Sequence, residues 1–343
     1  MTDNHVVPYV DLSNDPAVVR RIFVSLGLAQ EREDVQALPL GGGVSSGIFR
    51  VDLRSGSYCL KQALPTFKVA KEWTVPVERV FSEIDYLRTV GGIVPGSVPR
   101  VIGQDDATKS FVMEFLGAEF RNWKAQQLGG DVEARIANQV GDVLGRIHSA
   151  TADRADLAHR FATDDNFYAI RLEPYLVESS RVHPQLADVL LALATRTATT
   201  RRVLVHGDVS PKNILAGPNG PVLIDAECAW FGDPAFDVAF CLNHFLLKAV
   251  HLPQHAESLM SCFATMTRAY VAHVHWEPTR ELEQRTASLL PGLTLARVAG
   301  KSPVEYLAEP ARDRVRMLAI QLLLQQPTSL EAIASGWTGG LSL

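Results

Sequence analysis

The sequence is short of cysteine, of basic surplus and of long apolar runs, and each shortage excludes something. Its four cysteines, Cys59, Cys228, Cys241 and Cys262, are scattered without C-x-x-C spacing. Zinc sites and disulfide frameworks need paired spacings, so buried reduced thiols are expected. Lysine and arginine number 33 against 38 acidic residues, a formal charge of −5, which argues against a nucleic-acid partner. The apolar run in "IQLLLQQ" falls far below the roughly 20 residues that span a bilayer, so no membrane partner is expected. The opening "MTDNHVVPYVDLSNDP" lacks a basic flank followed by an apolar core, which predicts a cytoplasmic rather than a secreted chain. Internal repeats and low-complexity stretches are also missing. What is there is a chain of 343 residues, 47% of them hydrophobic, longer than one core usually supports, so two domains are predicted. Oligomeric state is left open.

Periodicity divides the chain in two. "DPAVVRRIFVSLGLAQ" reads as a helix capped by Asp15 with Pro16 at its first position. Strand-like pieces follow in "VQALPLGGGVSSGIFRVDL" and "SYCLKQAL", joined by the turn "RSGS". A helix over "PVERVFSEIDYLRTV" is predicted to end at Gly91–Gly92, and "VPRVIGQDDATKSFVMEFL" reads as a second hairpin. Beyond Gly117 helical patterns dominate, interrupted by one β island, "RVLVHGDVSPKNILAGPNGPVLIDAE". The fold class predicted is α+β, with a nucleotide-binding lobe over residues 1–115 and a helical catalytic and substrate lobe over 116–343.

Within the island, "NIL" and "PVLIDAE" pair as a hairpin across the turn "AGPNGP", placing Asn213 and Asp225 at one end, beside Asp208. Residues two apart on a strand share a face, so Asp225 and Glu227 point the same way if the backbone stays extended. Three carboxylates and a carboxamide gathered there would repel each other unless divalent cations relieved them, and a thiol-free oxygen set suits magnesium. Asn213, Asp225 and Glu227 are the predicted metal ligands. Asp208 is the candidate that aligns an attacking hydroxyl and accepts its proton, with His206 orienting the loop.

A nucleotide site needs more, and the front lobe supplies it. "LGGGVSSGIFRV" sets Gly42, Gly43, Ser45 and Ser46 between two strands, where backbone amides can approach phosphates. Lys61 follows in the otherwise apolar strand "YCLKQAL", positioned to reach those phosphates. Glu83, or alternatively Glu78, would hold it in place. Met113, Glu114 and Leu116 in "FVMEFL" are candidates for meeting adenine through their backbone.

Together, "GGGVSSGIFRV", "LKQ", "FSEI", "VMEFL", "LGRIHS", "HGDVSPKNIL", "LIDAE" and "GDPAFDVA" resemble the aminoglycoside phosphotransferase and choline kinase superfamily, small-molecule relatives of protein kinases. That resemblance implies a bilobal protein-kinase-like fold, with a small antiparallel-sheet front lobe and a mainly helical rear lobe. ATP between the lobes, Mg2+ and a small-molecule hydroxyl substrate are implied with it. It also implies that Asp237 braces the catalytic loop and that His148 packs. The front lobe is most similar to methylthioribose kinases, whose Asp-x-Glu motif implies Asp225 and Glu227 as metal ligands. Trp73 falls where that family's loop covers the nucleotide, or else it is a surface aromatic. The match is incomplete: those kinases lack the Lys and Asn of "HGDVSPKNIL" and carry a sugar-binding arginine pair. Here "LARVAGKSP" offers Arg297, either a substrate contact or a helix-surface salt bridge.

The reading that follows is transfer of the γ-phosphate of ATP to a hydroxyl of a small sugar-like, polyol or amino-alcohol metabolite. Two alternatives stand beside it. An aminoglycoside kinase would call for an acidic pocket, yet residues 277–343 carry seven acidic and seven basic side chains. A non-catalytic nucleotide-binding relative would normally have lost one of Lys61, Asp208, Asn213 or Asp225.

Overall fold

The computed structural model describes residues 9–41, 43, 45–67 and 74–341. They form two compact units. One holds the residues up to Arg88 together with Pro99–Gly117, the other Thr89–Val98 together with the residues from Ala118 on.

The first unit is an antiparallel five-stranded sheet, of strands β1 (Ala37–Pro39), β2 (Ser46–Leu53), β3 (Gly56–Ala63), β4 (Val101–Asp105) and β5 (Ser110–Glu114), in the order β1-β2-β3-β5-β4. Alternation along β2 buries Phe49 and Val51, and they pack with Leu60 and Val112 against the leading helix α1 (Pro16–Ser25). Asp15 caps α1 by accepting from the Val18 N–H at 3.1 Å, with Pro16 at the first position, as the sequence predicts. Val19, Ile22 and Phe23 of α1 are fully buried, each contributing about 1.5–3 kcal/mol of apolar burial. Helix α2 (Arg79–Ile93) does not stop at Gly91–Gly92. It runs on to Ile93, and the constraint that ends it is Pro95, which disfavours helix in the residue before it.

The second unit is mainly helical. Its β island folds as expected: β8 (Ile214–Gly217) and β9 (Gly220–Leu223) form a hairpin across Pro218–Asn219, joined by β6 (Arg121–Asn122). A separate ribbon pairs β7 (Val203–Val205) with β10 (Trp230–Gly232). The helix Pro234–His251 is buried from Pro234 to Ala249, so it forms the centre of this unit. The helix Thr279–Ala299 is not announced by the sequence pattern. Its first half is polar and its second half, Leu289–Val298, is buried all round, and Pro291 inside it removes one backbone donor. All four cysteines are free and buried, in line with the expected thiols. Among the described residues no helix is long and apolar enough to cross a membrane.

Candidate active site

The stretch "HGDVSPKN" leaves β7 through Gly207, whose φ of +79° favours glycine. A Cβ there would lie 2.7 Å from the Cys228 carbonyl oxygen, so no larger residue fits. The turn is held from behind by Asp237, in the first turn of the helix Pro234–His251. Its carboxylate accepts from the His206 N–H at 2.7 Å and the Gly207 N–H at 2.8 Å. Nε2 of His148 lies 3.3 Å from the same carboxylate and Nδ1 lies 2.9 Å from the Tyr270 hydroxyl. Asp237 therefore braces the loop and His148 packs behind it. His206 Nδ1 accepts from the Asp208 N–H at 3.1 Å. Burial pushes its pKa down, favouring the neutral ring.

Asp208 is 4% exposed. Its carboxylate meets Arg171 at 2.8 Å and Lys212 at 3.2 Å. Burial works against ionisation, but the cations of Lys212 and Arg171 outweigh it and hold the carboxyl well below the usual range. Arg171 has no counterpart in the sequence reading. It comes from a helical stretch, Tyr168–Val177, wound with i→i+5 bonds, and its Nε also donates to the Gly207 carbonyl. The one linear signal is a lone arginine among Ile170, Leu172 and Tyr175, all buried.

Asn213 stands at the mouth of the β8–β9 hairpin, where its carbonyl accepts from the Ile224 N–H at 3.0 Å. Its Nδ2 donates to the Asp208 carbonyl at 3.2 Å, leaving Oδ1 as the atom for an outside partner. Beyond β9 the extended backbone assumed for Asp225 and Glu227 does not persist. The strand ends at Leu223, and Asp225 takes the left-handed conformation, φ +68°. Alternation on a strand therefore does not relate the two side chains. A non-glycine residue in this region is uncommon and its strain is concentrated at functional sites. Asp208, Asp225 and Glu227 all act on the Cys228 thiol, so the three carboxylates do lie near one another, but Asp208 is committed to Arg171 and Lys212. Among the described residues no three His, Cys, Asp or Glu side chains are grouped to hold a metal ion by themselves. Glu227 is buried, and its field acts on Arg171 and Cys228.

In the first unit, Lys61 and Glu83 are each 2% exposed and form an ion pair at 2.7 Å. Glu78 instead approaches Lys109 at 3.8 Å, with its side chain 60% exposed, so Glu83 is the partner. Gly42 and Trp73 lie outside the described residues. A Cβ on Gly43 would sit 2.4 Å from the Ser46 carbonyl, which makes glycine obligatory there. Ser45 and Ser46 are buried. The Ser45 carbonyl accepts from Arg79, which also donates to the Leu64 carbonyl at 2.8 Å. Arg79, another residue the sequence did not single out, thus ties the glycine turn to the end of β3. Met113 and Glu114 close β5. The Glu114 N–H is already given to the Arg100 carbonyl at 3.0 Å, and Leu116 follows the strand half-buried.

Arg297 is not a helix-surface salt bridge. It is 9% exposed and donates to the Tyr175 hydroxyl at 3.0 Å and the Ser302 carbonyl at 2.6 Å. It lines a small cavity, about 20 Å³, together with Lys124, Lys212, His244, Lys248 and Tyr306.

The sequence profile of the phosphotransferase enzyme family matches residues 36–282. The chain therefore belongs to that family and is a small-molecule kinase that phosphorylates an alcohol group. Among known proteins, the methylthioribose kinase of Geobacillus sp. (strain WCH70) is 25% identical over 288 residues, 75% of this chain and 70% of that protein. The methylthioribose kinase of Geobacillus thermodenitrificans (strain NG80-2) is 25% identical over 305 residues, 79% and 76% of the two chains. Among solved structures, the amicoumacin kinase hAmiN in complex with AMP-PNP, Ca2+ and Ami matches with a TM-score of 0.56 at 14% identity, covering 91% of this chain and 96% of that one. Choline kinase from Cryptosporidium parvum Iowa II matches with 0.55 at 14% identity, covering 97% and 100%. These likenesses are of fold, and they make the α+β architecture, with its antiparallel sheet and helical remainder, a protein-kinase-like one.

Proposed function

We propose that the protein transfers the γ-phosphate of ATP to a hydroxyl of a small sugar-like or polyol metabolite, with Asp208 aligning that hydroxyl. The observation that carries this reading is the braced loop. Asp208 is an ionised, nearly buried carboxylate whose backbone is fixed by His206 and Asp237 and whose side chain is fixed by Arg171 and Lys212. Phosphoryl transfer passes through a loose transition state and demands positioning more than a strong base. A carboxylate with a depressed pKa suits that task.

Mg2+ fits the donors present, because it binds through one or two carboxylates plus substrate phosphates rather than an all-protein cage. Asn213 Oδ1 and Asp225 would hold it, with Glu227 a further candidate, and when bound it would neutralise charge on the phosphate oxygens. Gly43, Ser45 and Ser46 would meet the phosphates with Lys61, whose ammonium Glu83 orients. Met113, Glu114 and Leu116 would offer backbone to adenine. The AMP-PNP held by hAmiN supports nucleotide use, and the methylthioribose kinase relatives support a sugar-like acceptor.

The direct test is ADP release against a panel of sugars, polyols and their acids, amino alcohols and aminoglycosides, with and without Mg2+. Turnover of a sugar, a polyol or one of their acids, abolished by EDTA and restored by Mg2+, is the expected result. Turnover confined to aminoglycosides, or none with any hydroxyl compound, would refute the reading. A second expectation concerns the lysine. Glu83→Gln should raise the KM for ATP by about tenfold or more, because the pair orients the phosphate-binding ammonium. Glu78→Gln should leave it unchanged, and equal effects in steady-state kinetics would remove Glu83 from this role.

A further inference from the structure

We propose that the cavity beside Asp208 is the acceptor's subsite and that the acceptor is a hydroxy acid, its carboxylate held by Lys248 and Arg297 while its hydroxyl faces Asp208. This rests on the kinase reading of Asp208, because Lys212 lines the cavity and also pairs with that carboxylate. The cavity contains four cations, Lys124, Lys212, Lys248 and Arg297, and one acid, Glu305. Lys124 is bonded to Glu305 and Lys212 to Asp208. Two cations remain. Arg297 donates only to neutral oxygens, of Tyr175 and Ser302. Lys248 is fully buried, and its closest acceptor is the His244 carbonyl at 3.5 Å. Among the described residues neither has a carboxylate partner.

Three polar atoms of the cavity walls are buried without a hydrogen bond: Nε of Arg297, Nε2 of His244 and the Tyr306 hydroxyl. His244 and Lys248 lie four residues apart on the helix Pro234–His251 and so share a face. Buried donors without acceptors are rare in folded proteins and need a reason. Several of them, with two cations that lie over the Tyr306 and Tyr175 rings and have Glu305 nearby but no carboxylate at ion-pair distance, are a preorganised site for an anion. A space this small leaves no room for a bulky head group. It also disfavours an aminoglycoside or amino alcohol, whose ammonium would meet like charge.

The same surroundings give the site a proton signature. Burial, then repulsion from Lys124 and Arg297, lowers Lys248 to about 7. The other groups facing it are Cys241, His244, His251, Glu305 and Tyr306, and burial followed by the Lys248 charge pushes His251 below its ordinary value. Burial holds His244 neutral and pushes Cys241 and Tyr306 up, while Lys124 holds Glu305 down against burial. Lys248 is therefore the member of this set that changes charge near neutrality, being neutral above that pH. A bound carboxylate raises its pKa again, so binding at about pH 8 takes up close to one proton.

Calorimetry in two buffers of different ionisation enthalpy tests this, with and without Mg·AMP-PNP. The probes are glycerate, ribonate and gluconate, their neutral counterparts glycerol, ribitol and glucitol, and the amines 3-amino-1,2-propanediol and glucamine. At least one acid should bind about tenfold or more tighter than the polyol of its length, with proton uptake. Lys248→Met should lose both the preference and the uptake while keeping its affinity for ATP and its melting temperature. The proposal is overturned if no acid binds at about 10 mM, if polyols or amines bind as well as acids, or if Lys248→Met keeps the preference. ADP release read in parallel separates the two claims. Acid binding without turnover would sink the kinase reading alone, whereas polyol turnover with no acid preference would sink the anion site alone.

Discussion

Asp208→Asn should lower kcat by about a thousandfold while ATP still binds. Asparagine keeps the shape and can still accept a hydrogen bond from Arg171, but it cannot take the proton of the attacking hydroxyl. Asp208→Ala is the poorer test. Arg171 is 5% exposed, and stripping its carboxylate leaves a buried cation unpaired, a loss of about 3–5 kcal/mol that confuses folding with chemistry. Stability against pH provides a second readout. The Asp208 pKa is depressed in the folded state, so its contribution is complete above the ordinary carboxylate range and is lost as the pH falls through and below that range. The asparagine variant lacks that term, so its stability should fall less steeply than that of the wild type below about pH 4. Quenched-flow turnover and urea titrations at neutral and acid pH measure the two effects. Near-normal turnover in Asp208→Asn would remove this residue from the chemistry.

The residues of this site differ in how far they could be read from the chain. Asp208, Asn213 and Asp225 were legible because a single turn and hairpin bring them together, and the turn at Pro218–Asn219 fixes the register. Lys61 was legible as a charge inside an apolar strand. Its partner stayed open between Glu78 and Glu83, since helical phase alone does not say which face meets the sheet. The conformation of Asp225 was misread because assuming an extended strand leaves no place for a left-handed residue. Arg171 and Arg79 were missed for a different reason. Each acts on a group distant in sequence, through helix packing that local pattern does not encode. A signal existed for the helix Pro234–His251, where Asp237, Asn243, His244 and Lys248 interrupt an otherwise apolar run. Polar residues at fully buried helical positions are costly, so each such position calls for a structural or functional reason.

Asp237→Ala should destabilise the fold more than any surface change, and the reason lies in the number of donors it serves. Its carboxylate, 0% exposed, accepts from two backbone N–H groups and lies within reach of His148. With Nε2 of His148 as the donor to Asp237, Nδ1 is left to accept from the Tyr270 hydroxyl. Alanine would orphan three buried donors at once, each costing about 1–3 kcal/mol. A total loss of about 3 kcal/mol or more is a large part of the 5–15 kcal/mol that typical domains possess. Asp237→Asn should cost roughly half as much, because the amide oxygen can serve one N–H while its NH2 faces the other. Turnover should fall in both variants even at temperatures where they remain folded, since the same bonds set the backbone that carries Asp208. Calorimetric melting together with kcat measured well below the transition tests this. A variant with alanine at 237 that melts like the wild type, or that keeps full kcat while folded, would show that the loop holds its shape without this brace.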